Sequence, residues 1–133
     1  MKLSANGLRI ELLPRRAADD EDWVRVQVVV AARGFTGNFE ASLQLSDLLR
    51  FERELAVMYD SVEKRATAAL SSAEPDIQIE LAMQPLGSIV GKYSLECEPT
   101  VLSGTFELDQ SFLPELRQSI NALAEQLRGE NVP

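Results

Sequence analysis

A chain of 133 residues with 45% apolar and 26% charged side chains can bury one core and is too apolar to be disordered. It has no histidine and one cysteine, Cys97. That excludes Ser–His and Cys–His mechanisms, an intramolecular disulfide and a cysteine-based zinc cluster. The net charge is −8, with ten Lys/Arg against eleven Asp/Glu in residues 1–65 and three against ten in residues 66–133. This argues against nucleic acid as a partner, which needs a basic footprint, and suits a basic protein.

No apolar run approaches the roughly 20 residues of a membrane span. Residues 1–7 hold no apolar core of signal-peptide length, so the expectation is a cytoplasmic protein without a cofactor. Leu8–Leu12 alternates and reads as a first strand, with Lys2 as its earliest start. Pro14 should end its ladder pairing. The acidic turn Asp19-Asp20-Glu21-Asp22 then opens the most apolar stretch, Trp23–Ala32. There Val24, Val26, Val28, Val30 and Ala32 share one face, while Trp23, Arg25, Gln27, Val29 and Ala31 share the other. The second face is partly apolar too, which places this strand centrally in its sheet, with Trp23 read as core. Phe35-Thr36-Gly37 reads as a turn. Phe39–Leu45 follows as the antiparallel partner, with Phe39, Ala41, Leu43 and Leu45 inward.

At Ser46 the period changes. Ser46 suits an N-cap, and Asp47 suits the positive end of a helix dipole. Leu48, Phe51, Leu55, Met58 and Val62 form one helical stripe from about Asp47 to Val62, with Arg50, Glu52, Arg53 and Glu54 on the solvated side. Ala66–Ser72 fits either a weak strand or more helix. A strand is preferred, because another follows the turn at Glu74-Pro75. Asp76–Met83 and Ser88–Cys97 both alternate, the first with Ile77, Ile79, Leu81 and Met83 inward, the second with Ile89, Tyr93, Leu95 and Cys97. Pro85-Leu86-Gly87 turns between them and Pro99 breaks the second. Gly104–Leu108 is a last short strand. Asp109 or Ser111 caps the closing helix, with Pro114 in its first turn, a stripe of Leu113, Leu116, Ile120, Leu123 and Leu127, and Gly129 as its stop. Burying that stripe contributes roughly 1.5–3 kcal/mol per side chain, so this helix should dock firmly. No internal repeat appears. The expected fold is α+β over a single domain, residues 1–133: a curved, mainly antiparallel sheet of about six or seven strands with two amphipathic helices packed on it.

Few motifs offer chemistry. Gly87–Tyr93 has three residues between its glycines where a phosphate loop needs four, and Tyr93 stands where the magnesium-binding Ser or Thr belongs. It reads as a strand with a glycine bend. Counted from Asp19, an EF-hand would need Gly and Glu where Val24 and Val30 stand, so the acidic turn reads as solvated. Cys97 is in phase with inward residues and reads as a buried thiol. Glu40, Asp76, Glu80, Glu96 and Glu107 fall on outward phases. Spacing alone does not make any two of them an acid–base pair.

Several local patterns occur in one order: Asp22-Trp23 opening a strand, Phe35-Thr36-Gly37-Asn38-Phe39, and the helix Leu48–Leu55. Then come Pro85-Leu86-Gly87 between two strands, and Phe106-Glu107-Leu108-Asp109-Gln110-Ser111-Phe112-Leu113 before the last helix. Together they resemble the WapI-type immunity-protein family of bacteria over nearly the whole chain. The resemblance implies a small cytoplasmic α+β protein without catalysis, whose partner is a contact-delivered toxin domain, often a nuclease. Such toxins have basic clefts. The expected partner-binding residues are therefore the acids of the second half: Asp76, Glu80, Glu96, Glu98 and Glu107. The alternatives are a small-molecule carrier or enzyme with a pocket between sheet and helices, and an assembly subunit.

Overall fold

The computed structural model describes residues 1–60, 65–72 and 76–129. Strands β1 (Lys2–Ala5), β2 (Leu8–Arg16), β3 (Trp23–Ala32) and β4 (Phe35–Gln44) make one antiparallel sheet in chain order, and helix α1 (Leu45–Asp60) follows. Strands β5 (Thr67–Ser71), β6 (Ile77–Met83), β7 (Ser88–Cys97) and β8 (Thr100–Asp109) make a second. Helix α2 (Leu113–Leu127) follows that one after a short 3-10 turn. Four strands and a helix thus occur twice in a chain whose sequence shows no repeat.

The single sheet of six or seven strands is corrected to two sheets of four. The reason lies at the edge of β5. Helix α1 packs along it, and the Glu54 carboxylate accepts the Ala69 backbone N–H at 2.9 Å. The edge that would have continued the first sheet is occupied by a helix side chain. Glu54 was expected on the solvated side, and so was Glu52. Glu52 instead holds Arg117 of α2 at 2.9 Å and ties the two helices together.

Alternation and helical period set the core. Val24, Val26, Val28, Val30, Leu43, Ile77, Ile79 and Leu81 are buried from the two sheets. Leu48, Phe51, Leu55 and Met58 are buried from α1, and Leu113, Leu116, Ile120, Leu123 and Leu127 from α2. All belong to one contiguous cluster. The end of the first stripe, Val62, and the Glu74-Pro75 turn lie outside the described residues.

Several boundaries move for local reasons. The β3–β4 turn is Arg33-Gly34, with Gly34 at φ +79° and Ala32 paired with Phe35, so Phe35-Thr36-Gly37 is strand and not turn. β2 runs on through Pro14, which pairs with Val26, and the irregularity follows between Pro14 and Arg16. β1 pairs only as far as Glu11, and the Leu12 N–H reaches the Met1 carbonyl. The missing N–H of Pro14, two residues on, therefore faces an edge where β1 has already ended. β3 is paired on both sides as expected, but Trp23 is half-buried and outside the core, because its phase is the outer one. β8 is longer than the expected Gly104–Leu108.

Candidate functional site

The second sheet exposes its outer face as cross-strand rows. Thr67, Ala82, Val90 and Glu107 form one row. Ala69, Glu80, Lys92 and Thr105 form the next, and Ser71, Gln78, Ser94 and Ser103 the third. The small side chains leave two shallow concavities on either side of the Glu80–Lys92 pair, of about 610 and 370 Å³. The larger is floored by Ala69, Ala82 and Val90 and lies on the sheet surface, not between sheet and helices. Asp76 and Glu96 stand at the end of this face, where the Glu96 N–H donates to the Asp76 carbonyl at 2.9 Å.

Four of the five acidic residues singled out in the sequence, Asp76, Glu80, Glu96 and Glu107, thus share one sheet face, with Lys92 among them. Lys92 lies directly opposite Glu80 and diagonal to Glu107. Glu98 stands in the β7–β8 turn, beyond the face. Among the described residues, no ion pair involves any of the five. The outer face of the first sheet differs. Glu11 is held by Arg9 at 3.6 Å, and Glu40 by Arg25 at 3.2 Å, and Arg25 also donates to Ser42. Glu40 therefore lies on a different sheet from the other outward carboxylates and is already neutralised.

A third concavity, of about 300 Å³, opens between the β3–β4 and β7–β8 hairpin ends, lined by Val30, Phe35, Phe39, Cys97, Val101 and Leu102 among others. It explains an error. Cys97 is exposed, not buried. Its phase is the inward one, shared with Tyr93 and Leu95, but the two sheets part at this end and no described element covers it. Phe35 is in the same position: in phase with Phe39 and Ala41, yet 64% exposed.

Sequence reasoning missed the work of the acidic turn, which is not merely solvated. Asp19 accepts the N–H groups of Glu21 and Trp23, each at 2.9 Å. Asp22, at φ +71°, accepts the Leu45 N–H on its carbonyl and the Ser46 N–H on its carboxylate, both at 2.9 Å. The N-terminus of α1 is thus capped from a distant loop and not by Ser46. The buried Asp47 carboxylate closes the turn by accepting the Gln44 N–H at 3.1 Å. The glycine of the rejected phosphate loop also has a structural role. Register runs unbroken through Gly91, which is no bend but the seat of the Phe106 ring. Among the described residues, no three His, Cys, Asp or Glu side chains are placed to hold a metal, and no helix is long and apolar enough to cross a membrane.

The family model described as the immunity protein WapI-like family matches residues 2–128, and the chain belongs to that family. No curated protein matches the chain significantly. Among solved structures, WHY1 from Arabidopsis thaliana is similar at 14% identity and a TM-score of 0.44, over 99% of this chain and 92% of its own. The plant transcriptional regulator PBF-2 is similar at 10% identity and a TM-score of 0.45, over 98% of this chain and 82% of its own.

Proposed function

We propose that this WapI-like chain is a non-catalytic immunity protein that acts in the cytoplasm and neutralises a toxin domain by binding it. The family match over residues 2–128 carries the reading. The toxin class it fits is one with a basic cleft, such as a nuclease, because substrate phosphates require cations there. Asp76, Glu80, Glu96, Glu98 and Glu107 form the complementary acidic surface. Their lack of ion-pair partners among the described residues supports this, since no cation described there has to be displaced before they meet an external one. Such exposed charges act mainly on association.

The test is stopped-flow association with a catalytically inactivated toxin domain encoded beside this chain's gene, across a salt series. Rising salt slows association much more than it speeds dissociation. Replacing Glu80 and Glu96 together by Gln lowers the on-rate and leaves Tm nearly unchanged, because Glu80 is exposed, Glu96 is only half-buried, and neither has an ion pair to lose among the described residues. An on-rate indifferent to both salt and these substitutions rules out the acidic surface. Absence of binding rules out the toxin.

A further inference from the structure

We infer that the cleft between the β3–β4 and β7–β8 hairpin ends is a docking site for an extended segment or loop of the toxin domain. The segment carries a large apolar side chain flanked by lysine or arginine. The inference rests on the function proposed above and moves the centre of binding from the sheet face to its end. Its basis is a mismatch between phase and exposure. Phe35 and Cys97 are in inward phase on their strands, beside Phe39 and Leu95, yet both are exposed; Val101, outward in phase opposite Glu96 and 53% exposed, lines the same cleft. Over β3 and β6, by contrast, the inward-phase side chains from Val24 to Val30 and from Ile77 to Met83 are all buried. Here the two inner faces end in a cleft of about 300 Å³ whose lining is mainly apolar, with Thr36, Asn38 and Thr100 as its polar members. An apolar centre of this kind is where interfaces concentrate their affinity.

The rim charge selects the occupant. Glu96 pairs in register with Val101, and Glu98 occupies the turn between β7 and β8. No cation from the facing hairpin answers them. Arg33, in the β3–β4 turn, lies with its side chain across Gly7 of the β1–β2 turn, where a Cβ on that glycine would come within 2.7 Å of its Nε. That is the far side of β3 from β4. A second copy of the chain seated here about a two-fold axis would bring its own Glu96 and Glu98 against these two, between molecules that each carry −8. A basic partner completes both the apolar lining and the rim.

Cys97 is the chain's one cysteine, so maleimide labelling reports on this cleft alone. A phage-displayed peptide library panned on the purified chain tests the chemistry without any toxin. Selected peptides should combine an aromatic or aliphatic side chain with Lys or Arg. They should slow Cys97 labelling on the order of tenfold, and lose about tenfold or more in affinity on Phe35→Ser. Val101→Ser, on the other hairpin, should weaken them in the same direction, with circular dichroism confirming that both variants are folded. Failure to enrich peptides, or peptides that leave Cys97 labelling and Phe35→Ser binding unchanged, overturns the inference. The inactivated toxin domain separates the two readings. Toxin binding with Cys97 still freely labelled overturns the cleft and leaves the immunity function standing. Peptides that behave as expected beside a toxin that does not bind support the cleft and overturn that function. A dimer dispersed by Phe35→Ser, with toxin binding intact, assigns the cleft to a second copy and overturns the partner proposed.

Discussion

Gly91 offers a test of how the second sheet is packed. It sits in the middle of β7 opposite Phe106, and the tip of that ring occupies the space a side chain would take. A Cβ added there would be 2.2 Å from Cζ, 2.3 Å from Cε2 and 2.6 Å from Cε1 of that ring. Ordinary carbon contacts are about 3.5–4.0 Å, so Gly91→Ala forces the ring to move by more than an ångström. It has little room. Phe106 is 6% exposed, and the Tyr93 ring stands 6.2 Å away, itself lying over Gly104 across the same pair of strands. Overpacking of this kind costs about 1–3 kcal/mol. Alanine returns roughly 0.5–1 kcal/mol by restricting the unfolded backbone. The expected net loss is about 1–2 kcal/mol, or a fall in Tm of roughly 4–8 °C for a domain of this size.

A double-mutant cycle isolates the cause. Leucine lacks the Cε and Cζ atoms that make the contact, so Phe106→Leu removes the clash and keeps an apolar side chain. That single change should cost about 1–2 kcal/mol in lost ring burial. In its background, Gly91→Ala should become neutral or stabilising, a coupling of at least about 1 kcal/mol. Urea unfolding followed by circular dichroism and by the fluorescence of Trp23 measures all four corners. Equal losses from Gly91→Ala in both backgrounds would refute the ring-on-glycine explanation and point instead to backbone strain in β7.

The other predictions concern the cap, the covered edge, pH and the acidic face. Asp22→Ala should cost about 1–3 kcal/mol, since it removes a cap of α1 and puts a Cβ residue without a local hydrogen bond at φ +71°; Asp22→Asn, which tolerates that conformation and keeps an acceptor, should cost under half as much by urea midpoint. Glu54→Ala should cost about 1 kcal/mol and speed amide exchange at Ala69, whose N–H loses its acceptor; unchanged exchange there would contradict the account of the β5 edge. Burial lowers the Met1 ammonium pKa from 8.0 to about 6, against the pull of Glu11. The unfolded chain then binds more protons between pH 8 and 6, so stability is full above pH 8 and falls as pH drops toward 6. The loss is about 1–2 kcal/mol after allowing for solvent access and the 2.9 Å bond to the Leu12 carbonyl. With no histidine to titrate in that window, a flat urea midpoint would count against it. Lys92→Ala, which removes the cation that stands among Glu80, Glu96 and Glu107, should raise the on-rate for a basic toxin severalfold at low salt; an unchanged rate would place the contact elsewhere.

What was legible in the sequence was whatever depends on period. Valines two apart in β3 and leucines three and four apart in α2 fall on the faces their spacing demands, because burial of one face is what makes the period worth keeping. What was not legible depends on partners far away in the chain. Ser46 carries the right side chain for a cap, yet the cap comes from Asp22, 24 residues earlier. Glu54 has the spacing of a solvated residue, yet it closes a strand edge that exists only once β5 has packed on α1. The number of sheets was misjudged for the same reason. Alternation says that a strand is half-buried, not which strand lies beside it.

Cys97 and Phe35 show the sharper form of this limit. Period assigns a side chain to a face, while burial also needs something on the other side of that face. At Ala41 and Leu43 of β4 and from Ile89 to Leu95 of β7 the rest of the core supplies it, and the inward phase is the buried phase. At the hairpin ends the sheets part, so the same phase meets solvent. A stray exposed apolar residue would mean little, since single ones are common on any surface. Here Phe35 and Cys97 come from two hairpins remote in sequence, continue the inward phase on both, and converge on one cleft. Random surface composition gives no reason for that convergence. An inner face left open at one end, with Glu96 and Glu98 beside the opening and without ion-pair partners among the described residues, is what the proposed docking of a basic segment requires.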